Sequence, residues 1–409
     1  MMTNSKNEFL HPSHFERYLP QEEMLETKKK RSELIIGLPK EASEFENRIC
    51  LIPDAVGLLV QNNHRVLIET NAGKEANFSD IEYSNAGGEI IQNHEEIFKA
   101  DIIVKVNPLS LDEINCLKSR QTVFSKLEMP NQKKEYFKRL TEKKTTAIAN
   151  EFIKDQAGSF PIVQSISEIA GNYSIIIASD YLSNPKFGQG ILLGGVPGIN
   201  PAEVIILGAG TAGENAARAA LGLGAFVKVF DISISKLRKL QTKLNNKIYT
   251  SVFQPSILRK SLKTADVVIG AIRSKEGKAP NIVSEEMVKK MKSGSIIIDL
   301  SIDHGGCFET SELRTHKDPA FIKHNVTHYC VPNICSRIAQ TSSIAFSNFL
   351  TPLLINIGKE GGINNLIKTD FGLRNGVYLY NGKVVKPFIG NQFNMPFQNI
   401  DLLFDTLPS

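Results

Sequence analysis

The stretch Val204–Asp231 reads VIILGAGTAGENAARAALGLGAFVKVFD, and it decides how the rest of the chain is interpreted. An apolar run predicts a buried strand, Gly208, Gly210 and Gly213 follow it, and an Ala-rich segment then predicts a helix. A second apolar run ends at Asp231. Strand, glycine turn, helix and second strand in this order predict one βα unit of a parallel sheet.

Each glycine of this turn has its own physical role. Gly208 permits the tight turn, Gly210 lets the backbone approach a pyrophosphate without a Cβ, and Gly213 allows the helix to pack closely on the strand. The free N–H groups and the positive dipole end of the helix then face the phosphate charge. A glycine cluster that serves helix packing alone is the alternative, but the complete order of features favours a dinucleotide site.

The acid at the end of the second strand indicates which dinucleotide is bound. Asp231 can accept hydrogen bonds from both hydroxyls of the adenosine ribose, and its charge would repel a 2′-phosphate. Lys236 lies within one helical turn and could tolerate such a phosphate. The sequence therefore favours NAD over NADP, with Lys236 as the argument for the alternative.

Further apolar runs on both sides of this unit extend the pattern. Near-continuous apolar strands are typical of a parallel sheet that is covered on both faces. We therefore predict an α/β fold with a Rossmann NAD-binding domain over residues 162–339. The runs that predict its strands occupy residues 202–210, 225–231, 265–272, 294–303 and 326–332.

A series of shorter β-branched runs precedes that domain. Their spacing predicts the βα units of a first α/β domain over residues 34–161. Residues 1–33 are predicted to form a polar extension with a short helix around residues 20–29, and residues 340–409 are predicted to be helical. The runs that predict the strands of the first domain occupy residues 34–40, 64–70, 101–106, 122–126 and 145–152.

The composition narrows the class of protein. It is that of an ordinary globular protein, 42% hydrophobic and 22% charged, and the formal charge of +5 is spread along the chain, which argues against a nucleic-acid surface. No apolar signal segment or run of 18 apolar residues predicts a membrane segment. The five cysteines have no metal-ligand spacing with the eight histidines, so we expect no metal and a reducing cytoplasm.

Several long motifs carry a resemblance to a known family. They resemble the alanine dehydrogenases, in the family that also contains the NAD-binding subunit of proton-translocating transhydrogenase. The resemblance implies a flavodoxin-like substrate domain made of the N-terminal part and the C-terminal tail, and a homo-oligomer, commonly a hexamer. The motifs are IGLPKEASEFENRICLIPDAV (36–56), SEIAGNYSIIIASDYL (167–182), GQGILLGGVPGIN (188–200), FDISISKLRKL (230–240), IIIDLSIDHGGCFETSE (296–312) and YCVPNICSRIAQTSS (329–343).

The implied reaction is the reversible oxidative deamination of L-alanine by NAD and water to pyruvate, ammonium and NADH. The resemblance places Arg48 on the substrate carboxylate, a task suited to a planar bidentate donor, and Asp303 beside the nicotinamide and the substrate amine. Without the family, Arg48 would be an ordinary surface charge and Asp303 a turn or capping aspartate before Gly305 and Gly306.

The same resemblance implies further positions that line the dinucleotide, some of them through backbone groups only. Ser167 has a second interpretation as the N-cap of a helix that begins at SEIAG. The positions are Ser167, Thr211, Ala212, Lys236, Ile272, Ile302, Asp303, Val331 and Asn333.

Two positions depart from the family pattern. Asn107 stands where the family has a lysine, and it can hydrogen-bond a carboxylate or carbonyl but supplies no charge. Glu128 stands where the family has a catalytic histidine, and it could act as the acid/base if burial raised its pKa toward neutrality. Lys105 and Lys126 each lie two residues earlier, so either could restore the lost cation, or both are ordinary exposed lysines.

These departures leave several functions open. The leading one is an NAD-dependent alanine dehydrogenase, and the second is a dehydrogenase of the same fold for another amino or 2-oxo acid. A transhydrogenase subunit would fit the segment KVNP but lacks the expected pattern in residues 150–165. The remaining class is a non-catalytic NAD-binding protein, because the cofactor positions match the family better than the substrate-facing ones.

Overall fold

The computed structural model describes residues 32–43, 45–244, 248–273 and 279–405. Two sheets, each with helices on both faces, organise the chain, so the predicted α/β fold with a Rossmann domain and a second α/β domain is confirmed. The helix predicted around residues 20–29 of the polar extension lies outside the described residues.

The first sheet has eight strands. They are β1 (Ile35–Leu38), β2 (Arg65–Glu69), β3 (Glu89–Ile91), β4 (Ile102–Val104), β5 (Thr122–Ser125), β6 (Thr146–Ala149), β14 (Val377–Tyr380) and β15 (Lys383–Val384). Their order is β15-β14-β6-β5-β4-β1-β2-β3, and all pairs are parallel except the two that involve β14. The five parallel strands β2, β1, β4, β5 and β6 have the flavodoxin order, and the three-residue β3 extends it at one edge.

The C-terminal tail therefore contributes strands as well as helices. The prediction that this tail is helical missed β14 and β15. These strands complete the first sheet, where β14 pairs with β6 and β15 pairs with β14. The sheet membership of these strands supports the predicted return of the tail, while the boundaries given for the domains stay a prediction.

The second sheet has seven strands. They are β7 (Glu203–Leu207), β8 (Phe226–Phe230), β9 (Tyr249–Ser251), β10 (Val267–Gly270), β11 (Ile296–Asp299), β12 (Ala320–Lys323) and β13 (Val326–Tyr329). Their order is β12-β13-β11-β10-β7-β8-β9, and only β12 is antiparallel to its neighbour. The chain reverses its direction of winding between β7 and β10, which is where open α/β sheets bind ligands.

Helices cover both faces of each sheet. In the first sheet, the side chains of Ile102 and Val104 pack with helices α1 and α11, whereas Ile103 packs on the opposite face with α3 to α5. The helices are α1 (Pro53–Gln61), α2 (Asp80–Asn85), α3 (His94–Ile97), α4 (Leu111–Cys116), α5 (Lys134–Glu142), α6 (Pro161–Ser183), α7 (Thr211–Gly222), α8 (Ile234–Leu244), α9 (Pro255–Thr264), α10 (Glu285–Val288), α11 (Ala339–Lys359), α12 (Ile363–Thr369), α13 (Phe371–Gly376), α14 (Pro387–Phe393) and α15 (Ile400–Asp405).

Two long helices connect the sheets. Helix α6 begins at Pro161, so Ser167 lies inside it and the interpretation of Ser167 as an N-cap is wrong. The stretch Ile334–Lys359, which includes α11, is the one described segment long and apolar enough to cross a membrane by length and composition. Its side chains Phe346 and Leu350 are buried in the core of the first sheet, as expected for a core helix.

Candidate functional site

The glycine turn after β7 is shaped by close backbone contacts. Gly208 has a φ of +110°, a conformation that side chains with a Cβ rarely adopt, and a Cβ there would also collide with the carbonyl oxygen of Ala271 at the end of β10. A Cβ on Gly213 would collide with the carbonyl oxygen of Gly208. The turn and the first residues of α7 are therefore held against the two central strands of the sheet.

The same turn leaves open space on its outer side. A Cβ on Gly210 would meet no protein atom within 4 Å, so packing within the chain does not require a glycine there. Gly210 is the N-cap of α7 and brings no side chain to cap the first N–H groups of that helix. An open concave turn with uncapped helix amides fits a pyrophosphate, and Thr211 and Ala212 would hold it through the backbone.

Asp231 closes this turn from the neighbouring strand. It follows β8, is only 5% exposed, and accepts hydrogen bonds from the N–H groups of Ala209 and Ser233, both at 2.7 Å. The carboxylate is thus fixed beside the glycine turn with lone pairs left for other donors. Lys236 lies on the exposed surface of α8 and its backbone N–H donates to Ser233.

The other predicted cofactor positions follow the remaining parallel strands. Ile272 comes after β10, Ile302 and Asp303 come after β11, and Val331 and Asn333 come after β13. Because parallel strands end at one edge of the sheet, these residues lie on the same edge as the glycine turn. Ser167 reaches this edge from α6, which packs so tightly on α7 that a Cβ on Gly171 would collide with the carbonyl oxygen of Ala212.

A chain of hydrogen bonds joins the two halves of the molecule at this edge. Arg48 binds both oxygens of Glu46 through Nε and Nη2, each at 2.6 Å, and the side-chain amide of Asn333 donates to the same carboxylate at 2.7 Å. The backbone N–H of Asn333 donates to Oδ1 of Asp303 at 3.1 Å. Arg48 and Asp303, which were predicted from distant parts of the sequence, are therefore linked through two intermediates.

Burial and pairing fix the charges of Arg48 and Glu46. Arg48 is 4% exposed and its guanidinium lies over the ring of Phe346. Burial alone would raise the pKa of Glu46 and lower that of Arg48, but their mutual attraction outweighs it, so the pKa of Glu46 is lowered and that of Arg48 is raised. The edge of the guanidinium formed by Nη1 and Nη2 has no further acceptor among the described residues and can bind a carboxylate.

Lys105 does not face this space. Its ammonium is 1% exposed and contacts Glu113 of α4 at 2.6 Å and Glu41 at 3.8 Å. The expectation that Lys105 restores the cation missing at Asn107 is therefore wrong. The ammonium of Lys105 is already paired with buried carboxylates on the other face of the sheet. Asn107 lies half-buried in the bend after β4, and its N–H points to Glu41 at 3.4 Å.

Lys126 and Glu128 form an ion pair at the end of β5. The ammonium and the carboxylate are 2.6 Å apart, and each side chain is about one-third exposed. The burial that was expected to prepare Glu128 as an acid is therefore absent. Glu128 has a left-handed backbone with φ of +53°, and its N–H points to the carboxylate of Glu151, whose pKa is raised by burial.

Two acidic residues of the site were missed in the sequence. Glu46 orients Arg48 and Asn333, and the only sequence signal was its position two residues before Arg48. Glu41 accepts a hydrogen bond from the N–H of Val106 at 2.7 Å and lies between β1 and β4, where the first sheet reverses its winding. Burial raises the pKa of Glu41 to about 7 although Lys105 opposes the shift.

The described residues contain no group of three or more His, Cys, Asp or Glu side chains able to hold a metal ion. Their five cysteines are all unpaired, and four of them are buried. The charged groups described around the site are Arg48, Lys126 and their partner carboxylates Glu46 and Glu128.

Comparisons with known proteins agree with this geometry. A family model described as alanine dehydrogenase/PNT, N-terminal domain, matches residues 37–170, and the corresponding C-terminal domain model matches residues 174–387. Alanine dehydrogenase 2 of Staphylococcus aureus (strain USA300) is 36% identical over 367 residues, which cover 90% of this chain and 98% of that protein.

Solved structures give the same picture. An L-alanine dehydrogenase superposes with a TM-score of 0.83 at 32% identity, covering 88% of this chain and 99% of the other. A transhydrogenase from Sinorhizobium meliloti, at 24% identity and a TM-score of 0.75, covers 87% of this chain and 99% of the other, and shares the fold. The resemblance inferred from the motifs is confirmed, and the chain belongs to the alanine dehydrogenase/PNT family.

Proposed function

We propose that this protein is an NAD-dependent L-alanine dehydrogenase that converts L-alanine, NAD and water to pyruvate, ammonium and NADH. The observation that carries the proposal is the hydrogen-bonded chain from Arg48 through Glu46 and Asn333 to Asp303. These hydrogen bonds link a buried guanidinium that could bind a substrate carboxylate to the exposed carboxylate of Asp303, which follows β11 in the sheet that carries the glycine turn. The names of the relatives at 36% and 32% identity support the same activity.

The cofactor would be held at the carboxyl edge of the second sheet. The turn at Gly208, Gly210 and Gly213 would accommodate the pyrophosphate, and Asp231 would accept hydrogen bonds from the adenosine ribose. Asp231 carries a negative charge in a buried position, which disfavours a 2′-phosphate and supports NAD. When bound, NAD supplies the acceptor for the hydride that leaves the α-carbon of the amino acid.

The protein side chains would bind and orient the amino acid and move its protons. The free edge of Arg48 binds the substrate carboxylate, and Asp303 accepts a hydrogen bond from the amine. After loss of the hydride, a water molecule adds to the imine carbon. The carboxylate of Glu128, which pairs with Lys126, accepts one proton of that water and passes it to the nitrogen of the protonated imine adduct. The second proton of the water leaves with the nitrogen, so that ammonium and pyruvate are formed.

The absorbance at 340 nm tests this proposal. Purified protein with NAD and L-alanine is expected to form NADH, and protein with NADH, pyruvate and ammonium is expected to consume it. The substrate panel includes L-serine, L-valine, L-glutamate and D-alanine under the same conditions. Absence of turnover with L-alanine in both directions would contradict the proposal.

A different small amino acid is the second candidate substrate. We place three residues next to the substrate rather than next to the cofactor: the ion pair of Lys126 and Glu128, and the uncharged Asn107. These residues are therefore expected to influence the choice of substrate more than the binding of the cofactor. Faster turnover of another amino acid in the same panel than of L-alanine would favour this candidate.

We also propose a cytoplasmic homo-oligomer, with a hexamer as the expected form. Support comes from exposed apolar side chains between α6 and β7, where Leu192 is 64% and Ile199 is 68% exposed, and from the unpaired cysteines. Size-exclusion chromatography with light scattering measures the mass directly, and a monomer at micromolar concentration would contradict the oligomer.

A further inference from the structure

The charge balance of the cleft raises a question about the substrate. The proposed substrate and its oxo-acid product both carry a carboxylate, and the cleft already contains the acids Glu46, Asp303 and Glu128. Arg48 is largely neutralised by its two bonds to Glu46. An anion would bind more favourably if a second cation faced the same space.

The alternation of side chains along the strands decides which lysine can be that cation. Val123 and Leu127 pack in the core that contains α4 and α5, whereas Phe124 packs in the core that contains α1 and α11. The chain therefore stays extended through Leu127, and Lys126 shares the face of Phe124. Lys105 shares the face of Ile103, where Glu113 of α4 binds it.

The face of Lys126 is also the face of Arg48. The guanidinium of Arg48 lies over Phe346 of α11, and Phe346 belongs to the same core as Phe124. The N–H of Lys126 donates to the carbonyl of Val106 at 3.0 Å, which places Lys126 beside the strand end that carries Asn107. Lys126 thus stands next to the uncharged position and on the side of the sheet where the substrate would bind.

The electrostatic environment of Lys126 supports this placement. Burial lowers the pKa of the ammonium, but the carboxylates of Glu128 and Asp303 outweigh that effect, so its pKa is raised. Arg48 is also close enough to act on this charge, in the opposite direction. Lys126 therefore remains a cation at neutral pH, and its charge interacts with the charges at both ends of the hydrogen-bonded chain.

We propose that Lys126 is the second cation of the substrate site. Its ammonium binds an oxygen of a small 2-oxo acid, on the other side of that substrate molecule from Arg48. This inference rests on the proposed function, since it concerns the same cleft. Glu128 holds the ammonium at 2.6 Å in the absence of substrate. Because both partners are partly exposed, this ion pair contributes little to stability, and a substrate oxygen can replace the Glu128 oxygen at low cost.

Binding of oxamate, an unreactive analogue of pyruvate, to the NADH complex tests the inference without turnover. The variant Lys126→Met removes the charge and keeps the length of the side chain, while Lys126→Arg restores a cation. Lys138→Met is the control, because Lys138 is 63% exposed on α5 and pairs with Glu142. Titration calorimetry gives the oxamate and NADH dissociation constants for each protein.

We expect Lys126→Met to weaken oxamate binding about 10- to 100-fold, which corresponds to the loss of one charge-assisted hydrogen bond. Lys126→Arg is expected to recover most of the affinity, Lys138→Met to match the wild type, and NADH binding to stay unchanged in all variants. Unchanged NADH binding also shows that the variants are folded. Equal oxamate affinity in Lys126→Met and the wild type, or no oxamate binding by the wild type, would overturn the inference.

Turnover of the wild type separates this inference from the proposed function. If oxamate binding depends on Lys126 but L-alanine is not oxidised, the anion site stands and the alanine dehydrogenase activity fails. If L-alanine is oxidised and Lys126→Met has the wild-type KM for pyruvate, the activity stands and the role of Lys126 fails.

Discussion

The two sheets of this molecule have the same winding of parallel strands but present different chemical groups at the carboxyl ends of those strands. In both, the parallel strands wind outward in two directions from a central pair, and the site residues follow the carboxyl ends of the strands. The second sheet presents glycines and backbone N–H groups at that edge, whereas the first presents charged side chains around Arg48 and Lys126.

This difference explains why the two regions tolerate amino-acid substitutions differently. A backbone-built turn depends on a few glycines whose replacement produces a steric collision, so its sequence is readable as a short motif. A charge network depends on the balance of several side chains, so the uncharged Asn107 can be accommodated while a cation lies nearby at Lys126.

The largest effect is expected at the junction of the two regions. Arg48→Lys keeps a cation beside Glu46 but removes the free edge of the guanidinium, so we expect kcat/KM for pyruvate to fall about 100- to 1000-fold, the cost of disrupting a buried charge-assisted contact. NADH binding should stay unchanged. Arg139→Lys on α5 is the matched control, and an Arg48→Lys enzyme with wild-type kcat/KM would remove Arg48 from the substrate site.

The second effect is confined to the dinucleotide turn. Gly213→Val places side-chain atoms against the carbonyl oxygen of Gly208, so the turn must move, and we expect NADH affinity to fall about 10- to 100-fold and stability by about 1–3 kcal/mol. Gly222→Ala is the control on the same helix, since a Cβ there meets nothing within 4 Å. NADH fluorescence titration and thermal unfolding measure both quantities, and equal NADH affinity in the two variants would refute the steric role of Gly213.

The third effect concerns the choice between NAD and NADP. Asp231→Asn removes the charge that opposes a 2′-phosphate, so the ratio of kcat/KM for NAD to that for NADP should fall about tenfold. Asp318→Asn, at an aspartate that is 74% exposed, serves as the control. A ratio that does not change in Asp231→Asn would mean that another group, such as Lys236, sets the preference.

The last expected effect is a pH dependence of the free energy of unfolding, which comes from Glu41 in the first domain. The pKa of Glu41 is raised from 4.5 to about 7, so the folded state holds this proton more tightly than the unfolded state. The stability from this group is fully present below pH 4.5 and is lost as the pH rises through 7. Relative to the wild type, Glu41→Gln should therefore gain about 1–3 kcal/mol in its free energy of unfolding between pH 5 and pH 8.

Denaturant unfolding of both proteins at several pH values measures that difference. Glu135→Gln is the control because its side chain is 47% exposed on α5. A difference between Glu41→Gln and the wild type that is the same at pH 5 and pH 8 would contradict the raised pKa.

Much of the fold could be predicted because the central strands are buried on both faces. The apolar runs at residues 202–210 and 294–303 contain β7 and β11, whose apolar side chains pack in the cores on either side of the sheet. Three of the strands that were missed, β3, β9 and β15, are edge strands of two or three residues with partly exposed side chains. Their pairing depends on the neighbouring strand rather than on a local apolar pattern. Another missed strand, β14, is buried inside the first sheet and was missed because the whole tail was predicted to be helical.

The site was predictable to the extent that its parts are local. The glycine turn and Asp231 belong to one βα unit, so their spacing alone indicates a dinucleotide. The contact between Glu46 and Asn333 joins residues 287 positions apart, and the burial of Lys105 depends on Glu41 and Glu113 from separate elements. No local pattern could indicate those partners, which is why the roles of Lys105 and Glu46 became apparent only in the folded chain.

The most direct test of the central claim measures cofactor binding and turnover on one preparation of the wild-type protein. We predict that the protein binds NADH and, with saturating ammonium, oxidises it at a rate that depends on pyruvate. The reason is that the charge network retains a working substrate site despite Asn107 and Glu128. Tight NADH binding without turnover of pyruvate or any other 2-oxo acid would contradict the account and leave a dinucleotide-binding protein without dehydrogenase activity.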